Sequence, residues 1–217
     1  MDRFNYINGQ LHCEDVNINN LAKKVALPFY LYSQETIVDH YNKFSEAFAP
    51  LHPLKCFSIK NCSNLNILKI LSDMGAGMDV VSGGELYRAI EVGVNPTKIV
   101  YAGVGKSKEE LEQAISLNIG WVNIESEEEL RTIRQIAYEQ QKEVNVAIRV
   151  NPNVYDPRTH KKTATGIKDS KFGIDMLQAK HLYLEFLNDE FVKLTGLHIH
   201  IDRYFLRTEL FYKIQNL

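Results

Sequence analysis

Leu54-Lys55-Cys56-Phe57-Ser58-Ile59-Lys60-Asn61-Cys62-Ser63-Asn64 reads as the end of a strand, a lysine and the approach to a helix. Apolar side chains alternate up to Lys60, and a polar, cap-capable stretch then opens the helical spacing Leu65, Leu68, Ile70, Leu71. In a parallel α/β fold, a side chain at the C-terminal end of a strand points to where chemistry is usually done. A lysine there is a snorkelling surface charge, a partner for phosphate or carboxylate, or an amine nucleophile. By position alone the first is the ordinary case.

The same unit recurs downstream. Met78–Val81 is a strand followed by Ser82-Gly83-Gly84-Glu85, and Ile99–Ala102 a strand leading to Ser107-Lys108-Glu109-Glu110. Trp121–Ile124 is a strand followed by Ser126-Glu127-Glu128-Glu129; Val144–Val150 and Leu194–Ile201 are a fifth and a sixth. Ser-x-x-Glu predicts a capping box, in which the serine hydroxyl accepts from the third helical N–H and the glutamate reaches back to the serine N–H. Three such boxes, each after an apolar strand, predict serial βα units and hence a parallel sheet with crossover helices. A (β/α) barrel and a doubly wound sheet both fit. No Gly-x-Gly-x-x-Gly follows a strand, which weighs against a dinucleotide-binding sheet.

Upstream, Asn8-Gly9 marks a turn, a short helical stretch lies around Leu21 to Val25, and Pro28–Tyr32 is a strand candidate. Ser33 caps a helix with apolar positions Ile37, Tyr41, Phe44 and Phe48, stopped by Pro50. Residues 151–173 form a long polar loop carrying Arg158, His160, Lys161, Lys162, Lys168 and Lys171, a solvated face or, less commonly, the surroundings of an anionic substrate. The 217 residues are 45% hydrophobic and 24% charged with a formal net charge of -2, a soluble profile with no electrostatic case for nucleic acid. There is no membrane-length apolar run and no signal-peptide core, and Cys13, Cys56 and Cys62 lack metal-ligand spacing. The expectation is a reduced, cytoplasmic protein.

Several side chains are candidates for chemistry. Asp79 inside an apolar strand and Arg149 within Val146–Val150 each need a partner: a core ion pair, or a ligand at the sheet mouth. Gly83-Gly84 at a helix start could receive an anion, although the cap explains most of that sequence. His198 and His200 share one strand face, as a metal-binding pair would. A metal needs further ligands and only Asp79 offers itself on the second to fifth strands, so none is expected.

Together these stretches resemble the pyridoxal-phosphate decarboxylases of basic amino acids. The resemblance is carried by Phe57-Ser58-Ile59-Lys60 with Ser63-Asn64, by Gly77-Met78-Asp79-Val80-Val81-Ser82-Gly83-Gly84-Glu85-Leu86, and by Arg149-Val150-Asn151-Pro152. Thr159-His160, Thr165-Gly166, Lys171-Phe172-Gly173 and Gly196-Leu197-His198-Ile199-His200 complete it and favour the diaminopimelate branch over the ornithine branch. The match covers about residues 28–201.

The resemblance implies a (β/α)8 TIM barrel, here partial with about six βα units and without the last strands and the C-terminal β-domain. Residues 1–33 would join that β-domain, 34–201 form the partial barrel, and 202–217 a divergent tail. It implies pyridoxal 5'-phosphate held by Lys60 as a Schiff base, His200 against the cofactor ring, and Asp79 and Arg149 in the polar shell. Lys60 and His200 would be catalytic, in decarboxylation of meso-diaminopimelate to L-lysine. Ornithine, arginine or carboxynorspermidine decarboxylation, or a non-catalytic degenerate fragment, are the alternatives. The implied partners are a small amino acid and a second copy or a complementing C-terminal fragment.

The sequence departs from the family in Asn61-Cys62, where Ala-Asn is commoner, and in Ile201-Asp202-Arg203, where Gly-Ser usually follows the histidine. The later glycine-rich phosphate loop and the acid that pairs with the ring nitrogen have no counterpart. A truncated or split enzyme is expected, with its first and sixth strands as bare edges, one of them within reach of the apolar positions Leu206, Leu210, Phe211, Ile214 and Leu217.

Overall fold

The computed structural model describes residues 2–152 and 172–200. Thr159, Thr165 and the basic residues from Arg158 to Lys171 lie outside the described residues, as does the tail 202–217.

The chain opens with a hairpin, β1 (Phe4–Ile7) and β2 (Gln10–Cys13). Its turn is the expected Asn8-Gly9, with φ of 52° and 73°, the two positive values that a twist-compatible two-residue turn demands. A short β3 (Val16–Asn17) adds to β2, and α1 (Ile18–Ala22) follows. This helix starts upstream of the expected stretch because the Asn17 side chain takes the cap, accepting from Asn20 N at 3.0 Å. Pro28–Tyr32, expected as a strand, pairs with no strand among the described residues. A single extended segment becomes a strand only with a neighbour to share its N–H and C=O groups. Ser33 caps α2 (Gln34–Ala47) as expected, and Glu14 accepts from both Ser33 Oγ (2.7 Å) and Glu35 N (2.9 Å), which ties the hairpin to that helix start.

Next come β4 (Cys56–Ser58), α3 (Leu65–Asp73), β5 (Gly77–Val80), α4 (Gly83–Glu91) and β6 (Ile99–Tyr101). They are followed by α5 (Lys108–Ser116), β7 (Trp121–Ile124), α6 (Glu127–Gln140), β8 (Val144–Asn151), β9 (Ile174–Asp175), α7 (Met176–Glu185) and β10 (Val192–His198). The main sheet runs β4-β5-β6-β7-β8-β10, every neighbouring pair parallel, with β9 against the far end of β8. Strand order follows chain order without a reversal. With right-handed crossovers, a sheet that advances in one direction puts all its helices on one face. That decides between the two folds the sequence allowed: this is the singly wound sheet of a partial (β/α) barrel.

The burial pattern agrees. Met78, Val80, Ile99, Tyr101, Val122, Ile124, Val146 and Ile148 alternate along their strands and are fully buried against Leu68, Leu86, Leu111, Leu130 and Ile133 of the helices. Each such apolar side chain contributes about 1.5–3 kcal/mol relative to an exposed one. The opposite, inward-facing side carries Ser58, Asp79, Asn123 and Arg149. The two edge strands, β4 and β10, are flanked by apolar grooves of about 420 Å³ and 730 Å³, the second between α7 and β10.

Crowding at the strand starts is tight enough to test. A Cβ on Gly120 would meet Thr97 O at 2.5 Å and Ile99 O at 3.0 Å, both backbone atoms, whereas one on Gly84 meets nothing closer than Ser82 Oγ at 3.9 Å. Gly120→Ala is therefore expected to destabilise by about 1–3 kcal/mol or more, and Gly84→Ala to stabilise by about 0.5–1 kcal/mol, in urea denaturation. Equal midpoints for the two variants would contradict this packing.

Candidate functional site

Parallel strands deliver all their C-terminal ends to one mouth, and the charged residues of the sheet collect there. Lys60 is not itself on β4. The strand ends at Ser58, and Ile59–Asn61 form a 3-10 turn in which Ile59 is fully buried and Lys60 exposed. The buried isoleucine anchors the turn, and the lysine stands two residues beyond the strand end instead of closing it.

Asp79 sits beside Ser58 in the β4–β5 ladder, and Ser58 Oγ donates to Asp79 Oδ2 at 2.5 Å. Arg149, near the end of β8, lies opposite His198, the last residue of β10. Its guanidinium donates to Glu125 Oε1 at 3.0 Å, and the two side chains are 11% and 5% exposed. His200 is exposed and lies past the end of β10. The strand expected over Leu194–Ile201 instead runs Val192–His198, because its ladder with β8 begins at Val192–Val144 and closes at His198–Arg149.

A third cation is present that the sequence did not suggest. Lys106 has a side chain 1% exposed, and its ammonium donates to Gly103 O (2.6 Å), Asn123 O (2.8 Å) and Glu129 Oε1 (2.6 Å). Burial pushes His198 down to about 4, with the charges of Arg149, His200, Lys106 and Lys60 adding to the effect. Three of the four residues singled out from sequence thus act on one imidazole. Asp79 stands apart from them, tied to Ser58 on the neighbouring strand. No group of three or more His, Cys, Asp or Glu side chains able to hold a metal exists among the described residues.

The three Ser-x-x-Glu motifs cap their helices in two ways. Ser107–Glu110 is the full box: Ser107 Oγ accepts from Glu110 N at 3.2 Å, and Ser107 N donates to Glu110 Oε2 at 2.9 Å. Ser82 and Ser126 accept as expected, but Glu85 and Glu129 bond one residue earlier, to Val81 N and Glu125 N, both at 2.9 Å. The difference follows the cap backbone. Ser107 has φ of -72°, whereas Ser82 and Ser126 are fully extended at -157° and -153°, which turns the preceding N–H toward the helix.

The second oxygens of two of these glutamates link neighbouring loops. Glu110 Oε1 accepts from Gly83 N at 2.6 Å, and Glu129 Oε1 holds Lys106. The anion seated at Gly83 is thus a carboxylate of the same chain. The Gly83 and Ser107 N–H groups hold the Glu110 carboxyl below the usual carboxylate range. Burial, then the Glu110 charge, pushes the Tyr101 phenol up. Glu125 could have been found by the logic applied to Lys60, since it too follows an apolar strand. Lys106 had no such signal: its partners come from its own loop, from strand β7 and from helix α6.

A family model described as the pyridoxal-binding domain of pyridoxal-dependent decarboxylases matches residues 34–213. The chain is 39% identical over 201 residues to a diaminopimelate decarboxylase of Haemophilus influenzae, covering 93% of this chain and 48% of that protein. It is 41% identical over 196 residues to one from Aquifex aeolicus, covering 90% and 46%. The crystal structure of diaminopimelate decarboxylase from Helicobacter pylori complexed with L-lysine superposes with a TM-score of 0.86 at 38% identity, covering 91% of this chain and 50% of that one. The chain spans about half the length of the curated relatives it matches.

The buried imidazole gives a pH test. His198 takes up its proton near pH 4 in the folded chain, against an ordinary value of 6.5, so the unfolded chain binds more protons between those values. Stability is therefore complete above about pH 6.5 and falls as the solution is acidified toward about pH 4. His198→Asn is expected to reduce the loss by about 1–3 kcal/mol, read from urea denaturation at each end of the window. An unchanged pH slope would show that His198 does not carry it.

Proposed function

Because this chain belongs to the pyridoxal-dependent decarboxylases, we propose that it forms the pyridoxal 5'-phosphate-binding half of a meso-diaminopimelate decarboxylase active site. The observation that carries this reading is the mouth itself: an exposed Lys60 on a turn anchored by Ile59, in the company of Arg149, Lys106, His198 and His200. The donor set fits an anionic aromatic cofactor. Nearby cations act on a common imidazole, and the buried His198 Nδ1 has no hydrogen-bond partner among the described residues.

In this reading Lys60 would hold the cofactor through Nζ, His200 would lie against its ring, and Asp79 and Arg149 would belong to its polar shell. When bound, the cofactor supplies an electron sink for the pair left behind as carbon dioxide departs. The remaining work falls to the protein. Asp79 is kept in one orientation by the Ser58 hydroxyl proton on Oδ2. Arg149 offers a fixed guanidinium to an oxyanion, in a site where burial strengthens charge-assisted bonds. His198 stays neutral above about pH 4, so it presents a hydrogen-bonding imidazole without adding a charge. Lys60, exposed at the mouth, would offer its amine to the cofactor.

Decarboxylation of meso-diaminopimelate to L-lysine is the substrate reading that the relatives support, since the diaminopimelate decarboxylases match at 36–41% identity. A small amino acid is then the substrate. We place the protein in the cytoplasm, in keeping with three free cysteines. No helix among the described residues is long and apolar enough to cross a membrane. The working assembly would be a homodimer, or a pairing with a complementing C-terminal half.

The decisive measurement mixes the purified chain with pyridoxal 5'-phosphate, follows the visible spectrum and traps the adduct with borohydride. The expected result is a single labelled peptide containing Lys60, lost in Lys60→Ala, with carbon dioxide released from meso-diaminopimelate where the site is complete. Labelling elsewhere, or none, would overturn the cofactor assignment. Label at Lys60 with release from ornithine or arginine in its place would move the substrate to a sister branch.

A further inference from the structure

We propose that Glu125, Phe172 and Gly173 form a three-sided cradle that positions the Arg149 guanidinium for an oxyanion at the sheet mouth. This deepens the reading above and rests on it for the identity of that oxyanion, the phosphate of the cofactor or the carboxylate of the substrate.

The first side is Glu125, which follows β7 and accepts from Arg149 Nη1 at 3.0 Å. Both side chains are almost fully withdrawn from water, so neither charge tolerates the loss of the other. The second side is the Phe172 ring, whose centroid lies 5.2 Å from Arg149 Cζ, within the range where an aromatic face attracts a guanidinium. The third is Gly173. Its φ is +84°, and a Cβ there would meet Arg149 O at 3.0 Å and Arg149 Cγ at 3.2 Å. Glycine is thus required twice, for its backbone angle and for its contact with the stem of Arg149.

The segment is itself held in place. Asn151 Nδ2 donates to Phe172 O at 2.7 Å, and Ile174 pairs with Val150 in the β9–β8 ladder. The Phe172-Gly173 pair therefore presses on Arg149 from the segment that returns to β8, while Glu125 holds it from β7. A guanidinium confined on three sides has lost its rotamer freedom before any ligand arrives, which is the preorganisation that raises affinity.

The test uses the whole chain labelled with 15N-arginine, the Arg149 signal being assigned by its loss in Arg149→Lys. In the unaltered protein the Arg149 guanidinium protons should be protected from solvent exchange. E125Q and F172L should speed that exchange at least about tenfold, as expected when a held rotamer is released, while E125D and F172Y keep most of the protection. Pyridoxal 5'-phosphate and pyridoxal are then titrated separately. A phosphate target predicts that E125Q weakens the phosphorylated probe about tenfold and leaves pyridoxal unchanged. A carboxylate target leaves both probes unchanged and weakens L-lysine instead. G173A should behave like F172L; if it fails to fold, F172L still decides. Folded E125Q and F172L variants with unaltered Arg149 exchange would overturn the cradle. If neither pyridoxal probe binds the unaltered chain, the exchange arm still judges the cradle while the cofactor reading falls.

Discussion

Two parallel strands can be joined only by a connection that travels back along the outside, so each strand of this sheet ends at the same mouth. Here the strands also advance without reversal from β4 to β10. One face of the sheet is consequently lined by helices and built of Val, Ile, Met and Tyr side chains, and the other is left for Ser58, Asp79, Asn123 and Arg149. The chemistry-bearing residues come from strands far apart in sequence, and nothing but this winding brings them together.

The mouth then faces an electrostatic problem, because several cations meet where water is scarce. The structure answers it with a carboxylate for each buried cation: Glu129 for Lys106 and Glu125 for Arg149. One of the two, Glu129, also serves the local backbone. Glu129 caps its helix through one oxygen and grips Lys106 through the other, so helix capping and site assembly share a residue. Lys60, on its exposed turn, is not enclosed in this way, which suits a side chain that must reach an incoming group.

The open sides of the sheet set the scope of the molecule. Among the described residues β4 and β10 have one neighbour each, and both carry apolar grooves beside them. Exposed Leu177, Leu184, Leu187 and Leu197 lie on the β10 side. An apolar rim of this kind is a surface on which further strand or helix can pack. It agrees with relatives about twice as long as the matched region.

Much of this was legible in the residues. Strand alternation, the serine caps, the Asn8-Gly9 turn and the βα rhythm are local properties, each decided by neighbours a few positions away, and they located nearly every element. Lys60 was legible as a charge after an apolar run, Asp79 and Arg149 as charges inside apolar strands, and His200 as an imidazole on a strand face. Pro28–Tyr32 was misread for the complementary reason: a strand needs a partner, and partnership is not local. Which of two parallel folds the units build depends on strand order, a long-range outcome. The reach of Glu85 and Glu129 past their caps depends on the φ of a single serine. Lys106 depends on acceptors from a loop, a strand and a helix, and the hold on Arg149 on Glu125, Phe172 and Gly173 arriving from the end of β7 and the start of β9. By itself the sequence determined the units and their charges; tertiary structure decided which charges meet, because an ion pair between distant residues exists only once the sheet has been wound.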